Sequence, residues 1–401
     1  MSDKDSIAVE TQFAPYFSSL GYLTRVQLIL LMEALPAATL PLWWGALQDS
    51  RGYLLLDFAM VQTAGAVGMF LVGLVLAPLI VKIDRRLAIA VLATLFAGSL
   101  LGMAALPAIT AVIICWGVAS FSTAGIESIC LTYLGYSAQA QRNNGIYVTI
   151  QTLTYGIAPL AFPFILAATD IFMVLFGFAV FVLAILPVIV RLPAHLPELQ
   201  RQTIGSDTMT PRRTHRFWFA AAGSITAFSL FSWYTITLFN YSEQLGRLQE
   251  LDTTSVGIAL GLAGFFGIPG SLIAAYGGKR LGTLLPVIAG GVLFSVATIV
   301  LVLPNTQFYT FAAALTATSF CWNLMMPYLL GIFARIDPQG RVLTASYPVR
   351  GSMSILLSAA TVAMLSGHGA EAVAWLCALC VILSIFSYGV AWGAARGIQK
   401  V

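Results

Sequence analysis

SFCWNLMMPYLLGIFARIDPQGR, residues 319–341, reads as the end of one apolar segment, a polar turn, and the arginine that opens the next segment. It aligns without a gap to SFSTAGIESICLTYLGYSAQAQR, residues 120–142, at an offset of 199 residues. Earlier in the chain, Ile83-Asp84-Arg85-Arg86 falls on Gly277-Gly278-Lys279-Arg280 at an offset of 194 residues. One pattern of apolar runs and polar turns is therefore written twice. Paired repeats in an apolar chain are a transporter architecture, with the binding site at their interface near the middle of the bilayer.

Composition agrees. Of 401 residues, 59% are hydrophobic and 9% charged, with mean hydropathy +0.89. A water-soluble surface needs about 25% charged residues. Most of this surface must face lipid, so the chain reads as an all-α polytopic membrane protein. The net charge of +4 carries no nucleic-acid signal, and no nucleic-acid partner is expected. The first 25 residues are polar and lack a short apolar core, so no cleavable signal peptide is expected.

A membrane helix needs about 20 apolar residues. Two charge-free runs, 87–126 and 281–334, are too long for one crossing, and each contains a turn signal, Pro107 and Pro304-Asn305. Splitting both gives twelve expected spans at 25–47, 56–81, 87–105, 109–134, 146–168, 171–191, 215–240, 254–277, 282–303, 308–334, 342–366 and 371–395. With both termini inside, 17 of the 20 Lys and Arg residues fall in inner segments. Only Arg51 and Arg247 lie outside, and Arg350 is intramembrane. That asymmetry sets the topology and implies a multi-pass protein of a cell inner (plasma) membrane. The organisation is an interfacial segment 1–24, a six-helix bundle 25–191, a Pro-containing linker 192–214, a second bundle 215–395 and a tail 396–401.

The chain resembles the major facilitator superfamily over essentially its whole length. The residues carrying the resemblance are KIDRR at 82–86, its echo GGKRLG at 277–282, and the interior loop between the halves. In that family the turn after the second helix follows G-x-x-x-D-R-x-G-R, and its Asp-Arg pair latches the two halves. Asp84 and Arg85 match that pair, while Ile80 and Leu87 replace the glycines. The latch role is carried over to Asp84 and Arg85 alone. Phe121 stands where many proton-coupled members place an arginine, and the drug-antiporter motif survives only as Gly156, Ala158 and Pro159.

Within the spans, Arg350 stands out. It lies nine residues past Arg341, or roughly 13 Å into a hydrocarbon layer about 30 Å thick. A cation at that depth marks a functional site by default, and a guanidinium binds carboxylate or phosphate in a planar fork. The alternative is an arginine reaching back to the interface, but its stem of about 6–7 Å falls short from that depth. Arg350 matches Gln151 in the repeat, each nine residues past an arginine.

Glu33 and Glu127 are the candidate proton-coupling acids, because a carboxyl in an apolar bundle holds a proton readily. Each also reads as a structural ion pair or an interfacial acid. Trp322, Asn323, Gln62, Tyr155, Tyr234 and Asn240 sit on helices that line the central cavity in this superfamily. They complete the substrate-binding set with Arg350 and Gln151, although individually most read equally as packing residues.

Asp57 reads as a carboxylate at a helix start, His368 as a loop histidine, and Trp43 and Trp44 as part of an outer aromatic belt. Gly257, Gly261, Gly264, Gly267 and Gly270 give the eighth span a smooth face, with Pro269 as a bending point. Cys377 and Cys380 read as small packing residues in an apolar helix.

The sequence therefore points to a secondary transporter of a small organic solute, anionic or zwitterionic, working by alternating access coupled to protons. The partners expected are that solute, protons and the lipid bilayer, with the protein a monomer and with neither metal nor cofactor. A proton-driven exporter of the same fold is the nearest alternative, and a non-transporting receptor a more distant one. An enzyme would need a catalytic constellation, and His195, His215 and His368 are scattered.

Overall fold

In a computed structural model, residues 20–79, 83–135, 140–194, 215–303, 306–336, 341–368 and 371–398 are described. The N-terminal segment, Lys82, the Pro304-Asn305 turn and most of the 192–214 linker lie outside them. The described residues form helices and turns. The helices are α1 (Leu20–Ala38), α2 (Leu40–Arg51), α3 (Leu55–Leu79), α4 (Arg85–Ala105), α5 (Ile109–Gly135), α6 (Ala140–Ala168), α7 (Ile171–Ala184) and α8 (Leu186–Ile189). They continue with α9 (His215–Asn240), α10 (Ser242–Leu248), α11 (Thr253–Leu281), α12 (Leu284–Val300), α13 (Phe308–Ile336), α14 (Arg341–His368) and α15 (Glu371–Ile398).

Taking α1 with α2, and α7 with α8, as single crossings, the chain makes the twelve expected spans, with α10 as a short cap after the seventh. Among the described residues, eight helices are long and apolar enough by composition alone, and α1 with α2 forms a ninth such span. Long apolar sequence folds as helix here because lipid offers no partner for a bare peptide group. The outward faces carry large apolar residues such as Phe164, Leu356 and Phe386, each about 70% exposed from the protein and suited to acyl chains.

Acidic residues start several helices. Asp84 Oδ1 accepts from the Arg86 and Leu87 amides at 2.9 and 3.2 Å, Asp170 from Met173 N at 2.7 Å, and Asp252 from Ser255 N at 3.0 Å. Each satisfies an orphan donor and places negative charge at the positive end of a helix. Asp57, inside the first turn of α3, reaches back instead and accepts from Leu54 N at 2.7 Å.

The first span is broken. Its two pieces meet at 50° across Thr39, downstream of Pro36. Proline removes a helical donor and crowds the preceding turn. Thr39 Oγ1 and Trp43 Nε1 both donate to the Pro36 carbonyl, at 3.4 and 3.0 Å, which satisfies it at the break.

Helices α1–α8 pack chiefly on one another, as do α9–α15, and two long contacts join the groups: α6 with α11, and α3 with α14. We call the end carrying Leu20 and Ile398 proximal and the opposite end distal. At the proximal end Tyr22 Oη donates to the Tyr133 carbonyl, and Tyr133 Oη donates to the Pro193 carbonyl. At the distal end Arg51 donates to the Ala104 and Leu106 carbonyls, both at 2.6 Å.

The glycines of α11 serve two neighbours. A Cβ on Gly264 would lie 2.6 Å from Gly156 Cα of α6, and one on Gly257 2.8 Å from the Pro159 carbonyl oxygen. Farther along, a Cβ on Gly270 would lie 3.1 Å from Leu324 N of α13. The smooth face read from the sequence is thus split between the opposite half and its own.

Candidate functional site

The first half holds an acid cluster. Tyr147 Oη, on α6, donates to Glu127 Oε1 of α5 at 3.2 Å, and Gln151 Nε2 donates to Tyr147 Oη at 3.2 Å. Glu33 of α1 lies within the electrostatic reach of Glu127, and both act on Tyr155. Tyr147, Gln151 and Tyr155 recur every four residues and so share one face of α6. The two acids read separately from sequence therefore form one cluster, with Gln151 tied to it through Tyr147. The array lies beside a helix, α6, that meets the other half through α11.

The remaining expected substrate residues divide. Asn240 Nδ2 donates to Gln62 Oε1 at 2.9 Å across the two halves. The Tyr155 ring meets Phe239 across the same seam, with centroids 5.3 Å apart. Trp322 stacks on Phe231 at 4.9 Å and 11°. Arg350 places its guanidinium carbon 5.9 Å from the Phe228 ring centre. The next residue, Gly351, lets α14 approach α3, since a Cβ there would sit 2.9 Å from Phe70 Cα. Arg350 is therefore at the crossing of the second and eleventh spans.

Two expected cavity residues lie in packing positions. Tyr234 is fully buried, edge-on to Phe231 and Phe294 inside the second half. Asn323 donates to Ser319 O of its own helix at 3.0 Å, while its Cβ faces Gly270. Trp43 and Trp44 require a correction: neither belongs to a lipid-facing belt. Both are 0% exposed, with Trp43 against Trp116 and Trp44 stacked on Phe58 at 4.9 Å. Phe58 in turn meets Tyr241 of the second half at 4.8 Å. The bend in the first span precedes both tryptophans in the chain.

These contacts seal the distal mouth in layers. Outermost, Arg247 holds Asp49 bidentately, Nη1 at 2.5 Å and Nη2 at 2.7 Å, and reaches Glu243 Oε1 at 3.3 Å. Beside this bridge come Trp44, Phe58 and Tyr241, then Gln62 with Asn240, while α6 packs against α11 along the seam from Gly257 to Gly264. Asp49, Glu243, Arg247 and Tyr147 were not singled out from sequence. The i, i+4 spacing of Glu243 with Arg247, and of Tyr147 with Gln151, was the available signal.

At the proximal turn Asp84 accepts from the Arg86 side chain at 3.3 Å as well as capping α4, and Arg85 is buried with its amide donating to the Ala194 carbonyl at 3.0 Å. The His368 side chain lies outside what is described. A cavity of about 190 Å³ opens inside the second half, lined by Thr283, Tyr328 and Trp392 among others, away from the seam.

The sequence matches the family described as Major Facilitator Superfamily over residues 26–356. No curated protein sequence matches the chain. Among solved structures, a point mutant of the nucleoside transporter NupG superposes with a TM-score of 0.67 at 11% identity, covering 94% of this chain and 99% of that one. At that identity the likeness is one of fold.

Proposed function

The chain belongs to the major facilitator superfamily, as a multi-pass membrane protein and a secondary transporter rather than an enzyme, and on that footing we propose that it moves a small anionic or zwitterionic organic solute by alternating access coupled to protons. The observation that carries this reading is the hydrogen-bonded series Gln151–Tyr147–Glu127, with Glu33 in electrostatic reach. It ties a polar group on a seam helix to a pair of carboxyls, so solute contact and proton occupancy bear on the same atoms. Arg350, beside the aromatic face of Phe228, supports an anionic group on the solute.

In this reading Arg350, Gln151 and Trp322 contact solute, Gln62, Asn240 and Tyr155 close over it, and Tyr234 and Asn323 pack behind them within the second half. Asp84 and Arg85 latch the proximal side. The Lys and Arg asymmetry supports cytoplasmic termini in an inner membrane, which makes the distal mouth the outer one. The protein works as a monomer.

The test is uptake by proteoliposomes from a panel of carboxylates, phosphates and amino acids under an imposed pH gradient, with nucleosides as neutral comparators. A responding anionic or zwitterionic solute is expected. Glu33→Gln and Glu127→Gln are expected to exchange that solute across the membrane without concentrating it. A panel on which the gradient acts nowhere, or an acid-free variant that still concentrates solute, defeats the coupling.

A further inference from the structure

Glu243 sits in the distal seal in an unusual state for an acid. It is 1% exposed, at the start of α10, and a Cβ on Gly45 of α2 would lie 2.7 Å from its Cγ. Oε1 is used: it accepts from Thr253 Oγ1 at 3.0 Å and from Arg247 Nε and Nη2, both at 3.3 Å. Oε2 is buried and has no hydrogen-bond partner. Its neighbours Tyr241, Ser242 and Gln244 also bury side-chain polar atoms without partners.

Charge explains what the hydrogen bonds leave over. Arg247 is the cation in a site with two carboxylates, and its short bonds, 2.5 and 2.7 Å, go to Asp49 on the other half. Asp49 is 61% exposed in its side chain, so water supports it as well. Glu243 receives only the longer contacts, in a place water does not reach. One negative charge is in excess, on the more deeply buried acid, and its bare oxygen is where a proton fits. An unpaired buried carboxylate is costly, and a protonated one is not.

We propose that Glu243 is a proton-binding site of the outer gate, taking up a proton as the two halves close over it and returning it to water when they part. This rests on alternating access with the distal mouth outside, and not on Glu33 or Glu127. The charged and titratable groups facing Glu243 are Arg247 from its own helix and Asp49 from α2. Burial pushes the Glu243 carboxyl above the ordinary carboxylate range, against the pull of Arg247 and Thr253.

The sign follows. In the open mouth the carboxyl is hydrated and titrates near its ordinary value of about 4.3. In the closed mouth it holds its proton to higher pH. The closed form thus binds more protons across that window, and acidification favours closure. Above the raised value the acid is ionised in both forms, and closure carries the full cost of burying the charge.

The experiment measures the distal opening directly, in the full chain in lipid nanodiscs without solute. Spin labels on bio-orthogonal residues at the exposed positions Leu54 and Tyr309 leave the native cysteines in place. Lowering the pH from about 8.5 to about 5.5 is expected to raise the ratio of short to long distances at least about threefold. Glu243→Gln, which mimics the protonated acid, is expected to hold the short distance at both pH values. Asp49→Asn balances the site without a proton, so it is expected to lose the pH response while gaining long distances through the lost bridge. It serves as the test if the Gln variant does not fold. A wild-type ratio unchanged by pH, or a response surviving in either variant, overturns the proposal. Glu33→Gln and Glu127→Gln should keep the response, which separates this gate from the coupling acids.

Discussion

The Tyr147 hydroxyl lies 3.2 Å from Glu127 Oε1 and donates to it, while accepting from Gln151 at the same distance. One oxygen thus serves as both acceptor and donor between a helix at the seam and an acid in the first half. A hydroxyl in that position orders its two neighbours: if Gln151 turns toward a solute, Tyr147 loses its donor and its hold on Glu127 changes.

Tyr147→Phe keeps the ring and removes that link. A hydrogen bond to a charged group is worth about 1.5–3 kcal/mol, which is roughly tenfold or more in an equilibrium. Gradient-driven accumulation is expected to fall by about that factor, while solute exchange at equal pH continues. Parallel uptake and counterflow assays read the two separately, and equal losses in both would make Tyr147 a structural residue.

Arg350→Lys keeps the positive charge and loses the planar fork. For a carboxylate or phosphate solute the expected result is a KM raised about tenfold, close to 1.4 kcal/mol, with a smaller effect on the maximal rate. Zwitterionic and neutral solutes compared in the same assay show whether the arginine reads the anion.

Gly264→Ala sets a methyl group 2.6 Å from Gly156 Cα and from the Tyr155 carbonyl carbon. Backbone cannot give way as a side chain does, so α6 and α11 must separate at the seam. A cost of about 1–3 kcal/mol is expected, read as lower thermal stability in detergent and slower transport. Gly98→Ala, where a Cβ meets nothing within 4 Å, is the neutral comparator.

Asp84→Ala removes the cap of α4, at a cost of about 1 kcal/mol near neutral pH. Partial burial pulls the Asp84 carboxyl up, but its hydrogen bonds to Arg86 and Leu87 outweigh it and leave the carboxyl below the ordinary range. A lowered carboxyl stabilises the fold above its unfolded value, about 3.9, and loses that contribution as pH falls through the lowered one. Thermal melts of wild type and Asp84→Ala are therefore expected to differ at about pH 6 and to converge in strong acid.

Much of the fold was legible because lipid leaves few choices. Charge-free runs of helical length, two of them divided at a turn, give the twelve spans. The bend in the first span was hidden because Pro36 inside an apolar run does not state whether a helix kinks or continues.

The site was legible in part, and for a physical reason. Depth along a helix can be counted from the arginine or polar turn that borders it, which is how Glu33, Glu127 and Arg350 stand out in the sequence. The direction each side chain faces cannot be counted that way. Trp43 and Trp44 have the right depth for an interfacial belt, yet packing turns them inward. Tyr234 and Asn323 sit on the expected helices but face their own bundle. Glu243 is not legible in the sequence because a short segment between spans has the pattern of a solvated loop, and only the docking of α10 against α2 takes water from it.

The burial of Trp44 gives the protein a native optical reporter. Its indole is 0% exposed and stacked on Phe58, which touches Tyr241 from the other half. Parting the halves uncovers Phe58 beside that indole and is expected to move its emission to longer wavelength. Opening of the mouth can thus be followed by light in unlabelled protein, with Trp44→Phe as the blank that isolates this indole from the other seven tryptophans.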